Sequence, residues 1–466
     1  MTEFLFVFGL AIVLGWPLGR YLAAIMRGAP MRGDRLFALI ERPLYRLLGI
    51  DPAQGMSWKT YASAFLLSNL ILGLLVWMLL MSQQWLPLNP NAAPNMRWDL
   101  ALHTAVSFLT NTNQQHYSGQ AQLSYLSQMT AIVGLQVITP MMGLALVVAT
   151  LRGLFGGRQQ TDRSQPADVG NFWADLIRPT IRLFLPLCLL LSVLLTAQGV
   201  PATLDGGPKA TPLDGAAQMS EQKIPLGPVA AMVAAKQLGT NGGGWYGPNS
   251  SVALENPTPV SNLLQTLALI LLPVAIVFMV GDFTGRARLS ALIFGCMLSM
   301  SLMSAGIALW SEGHSASSSD IALMEGKEVR FGADASALWA ALTTQTSNGS
   351  VNSMHDSLAP LTGMVTIANM LVNGIWGGIG CGLQQFLVYL LLSVFLAGLM
   401  TGRTPELLGR KIEAPEVKCL AVLVLLQPLV ILGLSAVSLL FPELTGNSNP
   451  GAHAISQVLY EYTSAF

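Results

Sequence analysis

Charge is what this 466-residue sequence has least of: only 10% of its residues are Asp, Glu, Lys or Arg, against about 25% in an ordinary globular chain. Its 24 cations and 24 anions could not cover the surface of a soluble protein of this length. No basic excess exists to neutralise phosphates, which excludes a nucleic-acid binder. Cysteine is scarce as well. Cys188, Cys296, Cys381 and Cys419 sit in apolar runs with no CxxC pair, so they form neither a disulfide framework nor a zinc site. The five histidines make no HExxH pattern. A GxxxxGK[ST] phosphate loop, a DKTG aspartyl-phosphate motif and a GxSxG elbow are all missing. Neither ATP hydrolysis nor acyl chemistry can therefore belong to this chain alone.

What is present is hydrocarbon-compatible sequence, 52% of it hydrophobic. A bilayer core takes about 20 apolar residues per helix. Such runs lie at 4–24, 61–82, 124–154, 172–199, 258–281, 287–310, 363–400 and 416–441. An all-α polytopic membrane protein with eight spans is expected. The first run is no cleavable signal, because Glu3 occupies the place of a basic leader and Arg20 and Arg27 follow the apolar stretch.

Lys and Arg collect on cytoplasmic loops. One set of alternate loops holds 18 of the 24 cations, among them Arg32, Arg42, Lys59, Arg158, Arg163, Arg288 and Lys411. The other set holds six: Arg97, Lys209, Lys223, Lys236, Lys327 and Arg330. With 14 acids on the poorly basic side, that side nets −8 and the other +8. The N-terminus is therefore expected outside, and the outer mouth is acidic and suited to collecting cations.

Three outer loops share one plan: a short amphipathic helix, a Thr/Ser-Asn-Gly segment and a polar exit. Trp98 to Leu109 leads into Thr110-Asn111-Thr112-Asn113, then Gln115 and Gly119. Gly227 to Leu238 leads into Gly239-Thr240-Asn241-Gly242-Gly243-Gly244. Ala333 to Gln345 leads into Thr346-Ser347-Asn348-Gly349-Ser350. Taking Asn113, Asn241 and Asn348 as equivalent gives repeat spacings of 128 and 107 residues. Irregular backbone survives at membrane depth only where it lines water or is buried in protein. Small residues let carbonyls replace the hydration shell of a cation, and a half-helix aims its negative end at the same point. The pattern predicts a cation pore.

The segments WDLALHTAVSFLTNTN (98–113), LGTNGGG (238–244), ENPT (255–258), MEGKEVRFG (324–332), MHDSL (354–358) and GRTPELLGRKIEAPEVK (402–418) closely resemble the KdpA family. These are the potassium-translocating subunits of the bacterial Kdp transporter, and the resemblance covers essentially the whole chain. It implies pseudo-fourfold membrane-pore-membrane repeats with re-entrant pore loops. The expected divisions are an extra helix and basic loop at 1–60 and repeats at 61–154, 172–281 and 287–400. A fourth repeat begins at 416–466.

By that resemblance the ion ligands come from Asn111, Thr112 and Asn113, from Thr240, Asn241, Gly242 and Gly243, and from Ser347, Asn348 and Gly349. Gln115 supports the first filter. Gly377, Gly378, Gly380 and Gly382, which break span 7, form a gate candidate; the residues alone also allow close helix packing. The resemblance further implies potassium as substrate with no other cofactor, and a multi-pass inner-membrane location in contact with lipid. Its partners would be a KdpB-like P-type ATPase subunit and KdpC-like and KdpF-like subunits. An autonomous potassium channel or transporter is the alternative. Two departures stand out. Asn348 replaces a smaller family residue and is expected to narrow the site or add a ligand. The sequence 453–466 resembles a fourth pore helix ending just before its filter, so a truncated product or fragment, functional or inactive, is expected.

Overall fold

A computed structural model describes residues 2–156, 168–213, 219–315, 324–327, 329–407, 410–446, 448–449 and 451–466. Arg158, Arg163, Glu328 and Leu408-Gly409, which belong to loops and motifs named above, lie outside the described residues. Eight of the described helices are long and apolar enough to cross a membrane. They are α1 (Glu3–Arg27, its helix beginning at Thr2), α3 (Trp58–Trp85), α5 (Ser127–Phe155), α6 (Phe172–Ala197), α8 (Pro259–Thr284), α9 (Ala287–Gly313), α12 (Cys381–Met400) and α13 (Ala414–Leu440).

Between them lie an amphipathic helix α2 (Asp34–Leu48) and the short helices α4 (Trp98–Leu109), α7 (Val229–Leu238), α10 (Gly332–Gln345), α11 (Pro360–Val372) and α14 (His453–Ala465). The run 363–400, read as one span, is two helices, α11 and α12, with an irregular stretch between. The loop 200–226 contains a small antiparallel pair, β1 (Lys209–Ala210) with β2 (Gln222–Lys223).

α5 and α8 are the central spans and are mostly buried, whereas α3, α12 and α13 show most of their surface. That exposed surface is mainly Leu, with Val, Ile, Met and, at the two ends of α3, Trp58 and Trp85, which suits lipid. α1 packs along α8 through small residues. A Cβ on Gly19 would stand 2.5 Å from the Ala275 carbonyl, so the two backbones approach as closely as glycine allows. The two helices run parallel, since Asn262 donates to Glu3 at one end (3.2 Å) and Arg27 donates to the Asp282 carbonyl at the other (3.1 Å). Thr258 and Ser261 form a capping box that fixes where α8 starts, directly after the second loop.

Helices α4, α7, α10 and α14 contain 12, 10, 14 and 13 residues. At 1.5 Å per residue they reach roughly 15–21 Å, too short for a hydrocarbon core of about 30 Å. Of the four, α7 and α10 are buried almost throughout. They enter the protein and stop, and the chain beyond each of the first three is irregular.

Candidate ion pathway

Each of the first three short helices ends in the same way. The amide of Thr112 donates to Ser107, that of Asn241 to Lys236 and that of Asn348 to Thr343, all at 2.9–3.0 Å across five residues. The next feature repeats too. Asn111 and Asn113 have φ of 65° and 55°, Thr240 and Gly242 53° and 85°, and Ser347 and Gly349 52° and 85°. In each strand a left-handed residue is followed by a right-handed or extended one and then by another left-handed one. Alternation of this kind is the backbone habit by which successive carbonyls line a filter. Four of the six left-handed residues are Asn or Gly, which enter this region most readily, and the other two, Thr240 and Ser347, have their hydroxyls engaged by Ile379 and Asn373.

This geometry corrects the repeat alignment. Asn113 is equivalent to Gly242 and Gly349, while Thr112 is equivalent to Asn241 and Asn348. The helix end, rather than the identity of the asparagine, sets the register.

The three strands converge. The Asn111 amide donates to the Thr240 carbonyl at 3.4 Å, and its oxygen meets the Asn241 side chain and the Thr139 hydroxyl, the latter at 2.9 Å. A Cβ on Gly242 would lie 1.9 Å from the Asn348 carbonyl, so strands two and three pass at glycine distance. Gln115 is a two-sided bridge. Its amide donates to the Gly244 carbonyl at 2.9 Å and accepts from the Gly244 amide at 2.8 Å, tying the exits of strands one and two. Gly243 lies against Phe108, and its carbonyl accepts from Gln136 at 2.8 Å.

Of the two effects expected of Asn348, an added side-chain ligand is not what the structure shows. Asn348 is 1% exposed. Its amide donates to the Lys236 carbonyl at 3.1 Å, and its oxygen accepts from the Ser350 amide at 2.8 Å. The side chain is thus engaged in joining strand three to α7 and adds no free oxygen. Asn113, by contrast, is buried with neither amide atom partnered among the described residues.

Several supporting residues had no signal in the sequence. Lys236, counted above as an outer cation, is completely buried and ion-paired with Glu255 of the ENPT segment. Its ammonium also donates to Ser250 at 2.7 Å and to the Asn249 oxygen, while the Asn249 amide donates to the Gly242 carbonyl at 2.5 Å. The MEGKEVRFG segment has a similar structural duty. Lys327 pairs with the buried Glu312 of α9 at 3.5 Å, and Arg330 donates to the carbonyls of Ser251 and Asn256 at 2.6 Å each.

The stretch 373–380 lies against the first residues of strands two and three. The amides of Trp376 and Gly377 donate to the Gln345 carbonyl at 3.2 and 2.8 Å, and the Ile379 amide donates to the Thr240 hydroxyl at 3.2 Å. Ser347 donates to Asn373 at 2.9 Å. A Cβ on Gly378 would meet that Thr240 hydroxyl at 3.2 Å, and one on Gly380 would meet the Gly143 carbonyl at 2.5 Å. Gly377 and Gly382 interlock, with a Cβ on Gly382 falling 2.1 Å from the Trp376 carbonyl. All four glycines of the gate candidate are therefore at close approaches.

A cavity of about 1680 Å³ borders strands one and three, with Asn111, Thr112, Ser347, Asn348 and Gly349 in its wall. α14 closes another side. The Thr112 hydroxyl donates to the Ala465 carbonyl at 3.4 Å, Gln114 donates to the Glu461 carboxylate at 2.8 Å, and His355 meets the Tyr460 hydroxyl at 2.8 Å. Loss of solvation lowers the His355 imidazole to about 4.

Comparison with known proteins agrees with this architecture. A potassium-transporting ATPase potassium-binding subunit from Pseudomonas aeruginosa is 47% identical, covering 98% of this chain and 80% of the relative. One from Bacteroides thetaiotaomicron is 41% identical, covering 98% and 81%. The solved potassium transporter TrkH from Vibrio parahaemolyticus shares the fold, with a TM-score of 0.52 at 14% identity over 97% of this chain and 89% of that one. The model of the KdpA family, potassium-transporting ATPase A subunit, matches residues 5–466, and the chain belongs to that family.

Proposed function

We propose that this protein is the potassium-binding and translocating subunit of an ATP-driven bacterial uptake system. The observation that supports this reading most directly is the threefold recurrence of one device: a half-length helix followed by a strand with alternating left-handed backbone, all three strands converging. A potassium ion entering from the outer side exchanges water for carbonyl oxygens at Asn111 to Asn113, Thr240 to Gly243 and Ser347 to Gly349. The unpartnered Asn113 amide supplies polar capacity at the same level. The stretch 373–380, whose amides donate to the Gln345 carbonyl and the Thr240 hydroxyl, forms the constriction the ion passes next. Lacking any phosphoryl-transfer motif, the chain draws its energy from a partner, a KdpB-like P-type ATPase subunit in the inner membrane, with KdpC-like and KdpF-like subunits completing the complex.

The test is rubidium uptake in a potassium-transport-deficient strain expressing the chain with those partners. Gly242→Ala places a side chain on a left-handed residue, at about 1–2 kcal/mol, and against the Asn348 carbonyl. Uptake should fall at least about tenfold while the amount of membrane-inserted protein is unchanged. Wild-type uptake in Gly242→Ala, or uptake by the unmodified chain that does not need the ATPase partner, would overturn the reading.

A further inference from the structure

Helix α2 carries three different faces. It follows α1 by six residues and precedes α3 by nine, so two short tethers hold it where membrane spans leave the bilayer. At about 100° per residue, Asp34, Glu41 and Tyr45 share one side, which faces α6. There the Arg182 guanidinium donates to Asp34 at 2.8 Å and to both oxygens of Glu41 at 2.5 and 2.8 Å, and Tyr45 packs with Ile177 and Ile181.

The second side holds Arg35, Arg42 and Arg46, all exposed and without an ion-pair partner among the described residues. The third holds Leu36, Ile40 and Leu47, exposed by 67%, 55% and 82%, with Leu39 (71%) at its border with the arginines. Asp34 and Glu41 are the helix's two acids, and Arg182 engages both. What α2 presents away from the protein is therefore purely apolar on one sector and purely cationic on the next.

We propose that α2 is an interfacial helix that seats anionic phospholipid. The Leu36, Ile40 and Leu47 stripe enters the acyl region, and Arg35, Arg42 and Arg46 meet headgroup phosphates. A bilayer presents hydrocarbon and phosphate in that adjacent order along its normal, which matches the neighbouring sectors of this helix. An apolar helix of a partner subunit would cover the leucines yet leave three unpaired arginines beside them, so charge complementarity favours lipid. The Arg182 clamp fixes the roll of the helix and so keeps the apolar sector turned into the membrane. None of this depends on the reading of the pore.

The experiment places p-benzoylphenylalanine at position 36 or 47, with position 39 as a third site. The isolated transporter complex is then photolysed in vesicles of equal phosphatidylglycerol and phosphatidylcholine. Mass spectrometry of the adducts should show lipid, with phosphatidylglycerol exceeding phosphatidylcholine at least threefold. The triple variant R35Q/R42Q/R46Q should keep the yield of lipid adducts and bring that ratio close to one. Adducts to a partner polypeptide, or equal capture of both lipids by the unmodified arginines, would overturn the proposal.

Discussion

Lys236 and Glu255 form a buried pair that reaches the backbone of strand two. Both side chains are fully buried, and the pair reaches the Gly242 carbonyl through Asn249. Removing one partner of such a pair strands a charge and costs about 3–5 kcal/mol, whereas removing both for apolar residues of similar size is often nearly neutral. Lys236→Met should therefore lower the melting temperature of the detergent-solubilised protein sharply, and K236M/E255L should restore most of it. If the restored protein still shows a loss of potassium-over-sodium discrimination, the pair positions strand two; full selectivity in the double variant would leave it a role in stability alone. His355 makes a second prediction at this scale. Its imidazole, lowered to about 4 from the usual 6.5, binds fewer protons folded than unfolded between those values. Stability should accordingly fall as pH drops from 6.5 towards 4. His355→Asn should flatten that slope in thermal melts taken across the window.

At the scale of elements, the short helices were legible because their ends are chemically marked. Trp98–Leu109 appeared as expected, since Thr110 and Asn111 stop it, and α7 begins two residues later than read because Pro228 holds the chain out of the helix. The strands were legible by composition but slipped by one residue, because asparagine can occupy either the left-handed or the intervening position. α2 was missed. Its apolar and charged residues are too few for a span, and its Pro43 discourages a helical reading. The buried networks were missed for a different reason: Lys236 and Glu255 are 19 residues apart, and nothing local distinguishes them from surface charges. The glycine break between α11 and α12 yields a prediction of its own. A Cβ at Gly382 collides with the Trp376 backbone at 2.1 Å, whereas one at Gly378 meets only a hydroxyl at 3.2 Å. Gly382→Ala should lower the yield of folded protein. Gly378→Ala should leave folding intact and change the uptake rate, read in the same rubidium assay.

Over the whole molecule, the zero net charge resolves into two ends with different jobs. At one end Arg152 joins three spans, donating to both Asp175 oxygens at 2.5 and 2.9 Å and to the Met26 carbonyl at 2.9 Å. Arg182 holds α2 there, and Arg20 pairs with Asp282 at 3.6 Å. These cations belong to the loops that the charge asymmetry assigns to the cytoplasm, so residues that orient insertion also fasten the helices afterwards. The opposite end carries the loops leading into the three strands and, by the charge count, the excess of acid. That division predicts sidedness. With Leu204, exposed in the loop before β1, changed to cysteine, a membrane-impermeant thiol reagent should label intact spheroplasts. Gln54→Cys, in the exposed loop between α2 and α3, should be labelled only after permeabilisation. Cys188 is buried, and the exposed Cys296, Cys381 and Cys419 are changed to serine in the background chain. Labelling of the Gln54→Cys chain from outside, with Leu204→Cys protected, would invert the topology and turn the acidic mouth towards the cytoplasm, where it could not serve uptake.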